Sequence, residues 1–285
     1  MTLKQLRRSA IQTLRENHIE SPETESGLLI SYALGVKRSE LIGRDFEISK
    51  DTEDTIRTCL RRRIAGEPIQ YILGACGFMS LTFTVTPATL IPRPDTEVLV
   101  EAVLKRLPAD APTILDIGCG SGCIGLSLAH YAPAAQIIEL DISKAALSVA
   151  QQNAAALRVS DRVAWMEHDI LSSFPTLPEP PDCIVSNPPY IRRAEIAGLQ
   201  TEVKAYEPQS ALDGGIDGLD FYRAITRRAV LQPGGLLAFE VGIGQAGSVR
   251  ALLQDAGYSQ IEILPDLAGI DRVVLGRFVQ DTAQA

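Results

Sequence analysis

The stretch VSNPPYI, residues 185–191, sets an asparagine, two prolines and a tyrosine directly behind an apolar run. Consecutive prolines fix φ and remove two backbone donors, so the chain leaves that run as a stiff corner rich in acceptors. Such a corner suits a planar NH2 on a carbonyl or an aromatic ring, which offers two hydrogens and a delocalised, weakly nucleophilic nitrogen. Asn187 Oδ1 and the Pro188 carbonyl are the candidate acceptors, Pro189 helps to lock their geometry, and Tyr190 offers a flat wall for an amide or base. The gain would be mostly orientation of that nitrogen toward an electrophile. A plain Asn-Pro turn with polyproline character is the competing account.

A second motif lies upstream. In TILDIGCGSGCIGLSLA, Asp116 ends an apolar run, Gly118, Cys119, Gly120, Ser121 and Gly122 form a loop, and an apolar helix follows. Glycines let the backbone turn sharply and let a ligand approach where a Cβ would collide. Gly120, Gly122 and Gly125 match the dinucleotide pattern G-x-G-x-x-G, but that register begins two residues after the strand stops. The other register, acid-x-Gly-x-Gly-x-Gly from Asp116, resembles the opening of S-adenosylmethionine enzymes. A carboxylate beside the loop suits the ammonium and sulfonium charges of that cofactor.

Further candidates stand at the ends of the next apolar runs. IIELD ends at Asp141, 23 residues after Gly118, where a carboxylate can accept both ribose hydroxyls. Glu139 lies on the same face two residues earlier, but Asp141 holds the strand tip, where ligands bind. In EHDI, Asp169 is placed to take an adenine amino group and Ile170 to pack on the ring, unless Asp169 merely caps a turn. In LIPRPDTE, Pro92 to Pro94 make a stiff lead into a helix, and Arg93 and Glu97 are candidates to line the mouth of the cleft. Asp95 and Thr96 read equally well as a capped helix start. Cys119 and Cys123 lack the second pair or His cluster of a metal centre, so no metal is expected.

These motifs need a scaffold. Strand patterns fall at 113–117, 136–140, 162–166, 182–186, 236–241, 260–263 and 272–276, with helical patterns at 95–107, 122–131, 143–157, 219–231 and 245–256. This alternation predicts a parallel α/β sheet of seven strands, covered on both faces. Ligands then bind beyond the carboxyl ends of the strands at the switch point, flanked by the first and fourth strands. The glycine loop follows the first and Asn187 follows the fourth. Residues 1–75 read as a small helical bundle. Ser21 and Pro22 open one helix that Gly35 closes; another ends near Gly66. Leu28, Leu29, Tyr32 and Ala33 are expected on one apolar face, and Ile56, Cys59, Leu60 and Ile64 on another. The alternation in residues 76–91 predicts a hairpin.

Bulk properties narrow the function. The 285 residues are 46% hydrophobic and 22% charged, with a mean hydropathy of +0.08. No apolar run reaches the roughly 18 residues of a membrane span. The N-terminus is charged and amphipathic and lacks a signal-peptide core, and five irregularly spaced cysteines suit reduced thiols; a cytoplasmic protein is expected. Residues 1–75 carry a net charge of +1 and the remainder −9, which repels a phosphate backbone. Arg61 to Arg63 read as a solvated face or as a contact for a protein substrate.

D-x-G-x-G-x-G followed by N-P-P-Y resembles the class I S-adenosylmethionine-dependent amino-methyltransferases. Within them, RRRIAGEPIQYILG (61–74), LIPRPDTE (90–97) and YEPQSALDGGIDGLDFYR (206–223) resemble the peptide chain release factor glutamine methyltransferases. The resemblance spans nearly the whole chain. It implies transfer of a methyl group from S-adenosyl-L-methionine, leaving S-adenosyl-L-homocysteine, to the side-chain amide nitrogen of the glutamine in the Gly-Gly-Gln loop of class I release factors. It also implies a Rossmann-like seven-stranded sheet, organised as an N-terminal helical substrate-recognition domain (1–75), a β-hairpin linker (76–92) and a methyltransferase domain (93–285); a monomer is expected. Ile170 stands where some relatives carry an aromatic. Three other readings compete: a DNA adenine methyltransferase, a nicotinamide-dependent oxidoreductase, and a non-catalytic interaction scaffold.

Overall fold

The computed structural model describes residues 1–108 and 110–279, so the last six residues of the expected 93–285 segment lie outside the described residues. The chain divides into two compact units. One comprises Met1–Ala75 with Thr201–Tyr206; the other comprises Cys76–Gln200 with Glu207–Ala285.

The first unit holds α1 (Leu3–Glu16), α2 (Pro22–Leu34), α3 (Lys50–Ile64) and the short α4 (Ile69–Leu73). Thr2 starts α1 with a reciprocal cap: its Oγ1 accepts the Gln5 N–H at 3.3 Å, and Gln5 Oε1 accepts the Thr2 N–H at 3.0 Å. Gly35 ends α2 in the left-handed region, while Ala65 rather than Gly66 caps α3. The buried faces carry Leu6, Leu14, Leu29, Ile30, Ile56 and Leu60. Tyr32 and Ile64, expected on those faces, are instead exposed: α2 turns Ser26, Gly27 and Ile30 inward, and α3 turns Ile56, Cys59, Leu60 and Arg63 inward.

Arg63 is not part of a solvated face. It is 5% exposed, its Nε donates to Glu25 Oε2 at 2.6 Å, and its Nη2 donates to Glu202 Oε1 at 2.7 Å. Glu202 belongs to a further helix of the same unit, Thr201–Tyr206. Tyr206, at its other end, donates from its hydroxyl to the Ala65 carbonyl at 3.0 Å. Six residues distant in sequence thus join the helical unit through one buried guanidinium and one phenol.

The second unit begins with β1 (Ala75–Phe78) and β2 (Leu81–Thr84), joined by Met79 and Ser80, both at positive φ. A two-residue connection of that kind matches the twist of paired strands. The turn is held from outside: Met79 N–H donates to Glu97 Oε1 at 2.7 Å and the Tyr131 hydroxyl donates to the Met79 carbonyl at 2.6 Å. Then follow α5 (Glu97–Leu104), β3 (Thr113–Ile117), α6 (Cys123–Tyr131), β4 (Gln136–Asp141), α7 (Lys144–Leu157), β5 (Val163–Glu167) and β6 (Cys183–Ser186). Next come α8 (Thr201–Tyr206), α9 (Asp220–Arg228), β7 (Leu236–Glu240), α10 (Ala246–Asp255), β8 (Ser259–Pro265) and β9 (Asp271–Arg277).

The strands form one sheet in the order β5-β4-β3-β6-β7-β9-β8. The first five are parallel, whereas β9 runs antiparallel to both β7 and β8, so the sheet is mixed rather than uniformly parallel. The β8–β9 connection is too short for a crossover helix, which forces that reversal. Alternate residues serve different cores. Ile114, Cys183, Val185 and Ala238 pack with α5, α6 and α7, while Leu115, Ile184, Leu237 and Phe239 pack with α9 and α10. Among the described residues no helix is long and apolar enough to cross a membrane.

Removing one member of a buried ion pair strands the other charge. Arg63→Ala should therefore lower stability by about 3 kcal/mol in urea unfolding. Arg61→Ala, on the exposed face, should change it by less than about 0.5 kcal/mol.

Candidate active site

The glycine loop connects the tip of β3 to α6. Gly118, Gly120 and Gly122 all have φ between 57° and 77°, a region that side chains avoid. A Cβ on Gly118 or Gly120 would meet nothing within 4 Å, so the backbone there borders open space. The loop is tied to the neighbouring strand: the Gly118 and Cys119 N–H groups both donate to the Leu140 carbonyl, at 2.8 and 3.0 Å. Asp141 Oδ2 accepts the Gly120 N–H at 2.9 Å, and its Oδ1 accepts the Ser143 N–H at 2.8 Å. A carboxylate has about four lone-pair positions, so Asp141 retains capacity for two further donors. Asn153, on α7, braces the loop from behind; its Nδ2 donates to the carbonyls of Ser121 and Thr84 at 2.9 and 3.0 Å.

Strand β6 pairs with β3 in parallel, with Ile117 opposite Ser186, and the Ser186 hydroxyl donates to the Ile117 carbonyl at 2.7 Å. The residue after Ser186 therefore emerges beside the glycine loop. Asn187, Pro188 and Pro189 line one cavity of about 420 Å³ together with Gly118, Cys119, Gly120, Ser121, Asp141, Asp169, Ile170 and Arg93. That volume is in the range of small-molecule sites. Asn187 Nδ2 donates to Thr96 Oγ1 at 3.3 Å. Asp169 does cap a turn, its Oδ1 accepting the Leu171 N–H at 2.9 Å, yet it also lines the cavity. Arg93 Nη2 donates to the buried Glu207 Oε1 at 2.5 Å.

Four expected residues lie outside the lining. Gly122 turns its missing side chain toward Leu126 and Ala150. Glu97 is drawn to the hairpin turn by the Met79 N–H, so it does not reach the mouth of the cleft. Tyr190 packs into the α9–α10 side of the core, and burial pushes its hydroxyl up to about 12. Its ring therefore does not wall the cavity. Asp116 is fully buried beneath the loop, where its Oδ2 accepts the N–H of Gly125 at 2.8 Å. Gly125 likewise stands away from the cavity and packs on β4, where a Cβ would collide with Glu139 Oε1.

Glu139 is Asp116's partner across the β3–β4 pair and is as deeply buried. Burial pushes Asp116 up to about 7, and burial reinforced by the Asp116 charge pushes Glu139 well above the usual carboxylate range. Both members of the pair therefore resist ionisation.

Residues 5–74 match the family model of the PrmC N-terminal domain, and residues 94–204 match that of the methyltransferase small domain. Over 280 residues the chain is 46% identical to a release factor glutamine methyltransferase of Moorella thermoacetica, covering 96% of this chain and 98% of that one. It is 45% identical over 267 residues to the protein of that name in Geobacter sulfurreducens, covering 93% and 92%. The chain belongs to the release factor glutamine methyltransferase family. In fold, it is similar to the T. thermophilus 16S rRNA N2 G1207 methyltransferase in complex with AdoMet and guanosine. The TM-score is 0.51 at 19% identity, over 71% of this chain and 49% of that one.

In this family member the NPPY corner is supported by Gln245, which no sequence pattern singled out, and by the 206–223 segment. Gln245 Nε2 donates to the Tyr190 carbonyl at 2.9 Å, while its Oε1 accepts the Gly242 N–H at 3.0 Å. The segment after Glu207 wraps the same backbone: Ile191 N–H donates to the Leu212 carbonyl at 3.0 Å, and Gly214 N–H donates back to the Ile191 carbonyl at 2.9 Å. A Cβ on Gly214 would lie 2.7 Å from the Pro189 carbonyl oxygen and 2.8 Å from Tyr190 Cα. The glycines of LDGGIDG were the available signal, since clustered glycines mark close backbone approach.

Gly214→Ala should displace the corner and lower kcat for methyl transfer by up to about 100-fold while cofactor affinity, read by calorimetry, stays within about threefold. The buried carboxyl pair makes a second prediction. Its members bind protons more tightly folded than unfolded, so the stability they contribute is complete below the unfolded carboxylate range and is lost as pH rises toward and past 7. Glu139→Gln, whose amide keeps the size and can donate to Asp116, should flatten the fall in melting temperature between pH 5 and 8. An unchanged slope would mean that the pair shares no proton.

Proposed function

We propose that this chain methylates the side-chain amide nitrogen of the glutamine in the Gly-Gly-Gln loop of class I release factors, with S-adenosylmethionine as donor. The observation that carries this reading is the shared cavity: Asn187 and Pro188 line the same space as the glycine loop and Asp141. The lining fits the donor. Gly118 and Gly120 leave room for close approach, Asp141 keeps lone pairs for ribose hydroxyls, and Asp169 and Ile170 suit the adenine amino group and ring. Bound there, S-adenosylmethionine supplies an electrophilic methyl carbon and a neutral thioether leaving group.

The chain's own contribution is geometric. Asn187 Oδ1 and the Pro188 carbonyl accept the two hydrogens of the substrate NH2, which turns the nitrogen lone pair out of conjugation and toward the methyl carbon. Transfer would release one N–H hydrogen as a proton, which the Asn187 and Pro188 acceptors would pass to solvent, and it would require no nucleophile on the enzyme. Ile117, Pro189 and Ile170 keep water from the reacting atoms. The net −9 of residues 76–285 favours a protein loop over a nucleic acid as the second substrate.

Incubation with methyl-labelled S-adenosylmethionine and a class I release factor should place one label on the Gly-Gly-Gln glutamine, read by peptide mass spectrometry. Asn187→Ala should lower kcat by at least about 100-fold with donor affinity nearly intact. Label on adenine in DNA, or none on the glutamine, would refute the assignment.

A further inference from the structure

We infer that Glu240, at the end of β7, acts together with Thr96 as a positioning residue for Asn187, engaging the hydrogens on its Nδ2 so that Oδ1 faces the cavity. This rests on the role given to Asn187 above. A primary amide turned over about its last torsion would present two donors instead of an acceptor, and an NH2 substrate would then be repelled. Something must fix its sense.

Glu240 closes the otherwise apolar strand LLAFE, all of it buried. It is 2% exposed, and a carboxyl at such a depth is costly unless hydrogen-bonded. Along β6 and β7, Asn187 and Glu240 fall on the face that packs against α5, since Val185 and Ala238, each two residues earlier, belong to that core. Thr96, 2% exposed, stands at the start of α5 and accepts the Asn187 Nδ2 hydrogen at 3.3 Å. The β6–β7 register pairs Ser186 with Phe239, so the next residues, Asn187 and Glu240, stand side by side, and Glu240 Oε2 is buried without a hydrogen-bond partner, available to the Nδ2 hydrogen that Thr96 does not take. The Thr96 hydroxyl, having accepted from Asn187, still has its own hydrogen to donate.

The charges around Glu240 make its state adjustable. Burial pushes the carboxyl up to about 7, against the pull of Thr96, of Arg272 on β9 and of Asn187, while Asp95 pushes it further up. Arg272 is shared with Asp95 and Asp266, each at 3.0 Å. Tyr222 on α9 donates its hydroxyl to the Glu240 backbone carbonyl at 2.9 Å, and the Glu240 charge raises Tyr222, Tyr190 and Cys123 in turn. Ionised, Glu240 accepts only and polarises the Asn187 amide toward Oδ1. Protonated, it loosens that hold.

The test follows the Asn187 side-chain amide by 15N–1H NMR in the full chain, with resonances assigned by Asn187→Asp. In the wild type they should titrate with a midpoint near 7, and in Glu240→Gln they should not. In parallel, Glu240→Gln should lower kcat up to about 100-fold, with KM for the release factor and affinity for S-adenosylmethionine within about threefold, and should remove the rise of kcat through pH 7. Thr96→Val should lower kcat and Thr96→Ser restore it. Amide resonances that stay flat in the wild type, or full kcat and an unchanged pH profile in Glu240→Gln, would overturn the inference. The wild-type titration needs no variant to fold. A titrating amide in a chain that labels no glutamine would instead defeat the proposed function and leave this contact standing.

Discussion

The parallel pairing of β3 with β6 is the constraint on which the site depends. With Ile117 opposite Ser186, the chain emerging from one strand is a glycine loop and the chain emerging from the next is Asn187 and two prolines. A slip of one residue along β6 would send Asn187 to the opposite face, away from Thr96 and Glu240. The register is held by the apolar alternation along both strands and by the Ser186 hydroxyl on the Ile117 carbonyl. A feature of core packing thereby fixes the spacing between the glycine loop and Asn187.

Much of this was legible in the residues themselves. Runs such as TILDI, CIVS and LLAFE announce buried strands because nothing polar interrupts them until their ends, and the glycines after Asp116 announce a turn that no side chain could take. Contacts that close over long sequence distances were not legible. Glu97 looks like a residue of the cleft because it sits beside Arg93, yet the strained Met79–Ser80 turn offers an unsatisfied N–H and captures it. Tyr190 looks like an aromatic wall, but Gln245 and the glycines after Leu212 hold its backbone so that the ring enters the core. Arg63 reads as one of three surface arginines, and only the folded chain brings Glu25 and Glu202 to it. In each case periodicity located the element, and a distant partner chose the side chain's direction.

The acids divide by the same logic. Asp141 spends one lone pair of each oxygen on a backbone amide, which fixes its orientation while leaving the outward pairs for a ligand. Asp116 faces inward and supports the first turn of α6 through Gly125. Their sequence positions, each at a strand end before a turn, do not distinguish them. Their surroundings do: Asp116 is fully buried and accepts the Gly125 N–H beneath α6, whereas Asp141, at the strand tip, accepts the Gly120 and Ser143 N–H groups beside the cavity.

Buried carboxyls at Asp116, Glu139 and Glu240 lie on that same α5–α6 side of the sheet and all resist ionisation. Apolar residues there would be cheaper in stability, because a buried charge loses hydration that its partners only partly restore. What such groups supply is a defined direction for their neighbours. A methyl side chain at any of these positions would leave the loop amide, or the Thr96 and Asn187 pair, free to settle in more than one arrangement. Transfer to an amide nitrogen is sensitive to that freedom, since the nitrogen must be held out of conjugation within a narrow angle of attack. The chain gives up some stability near neutral pH in exchange for fixed directions of the groups around the cavity.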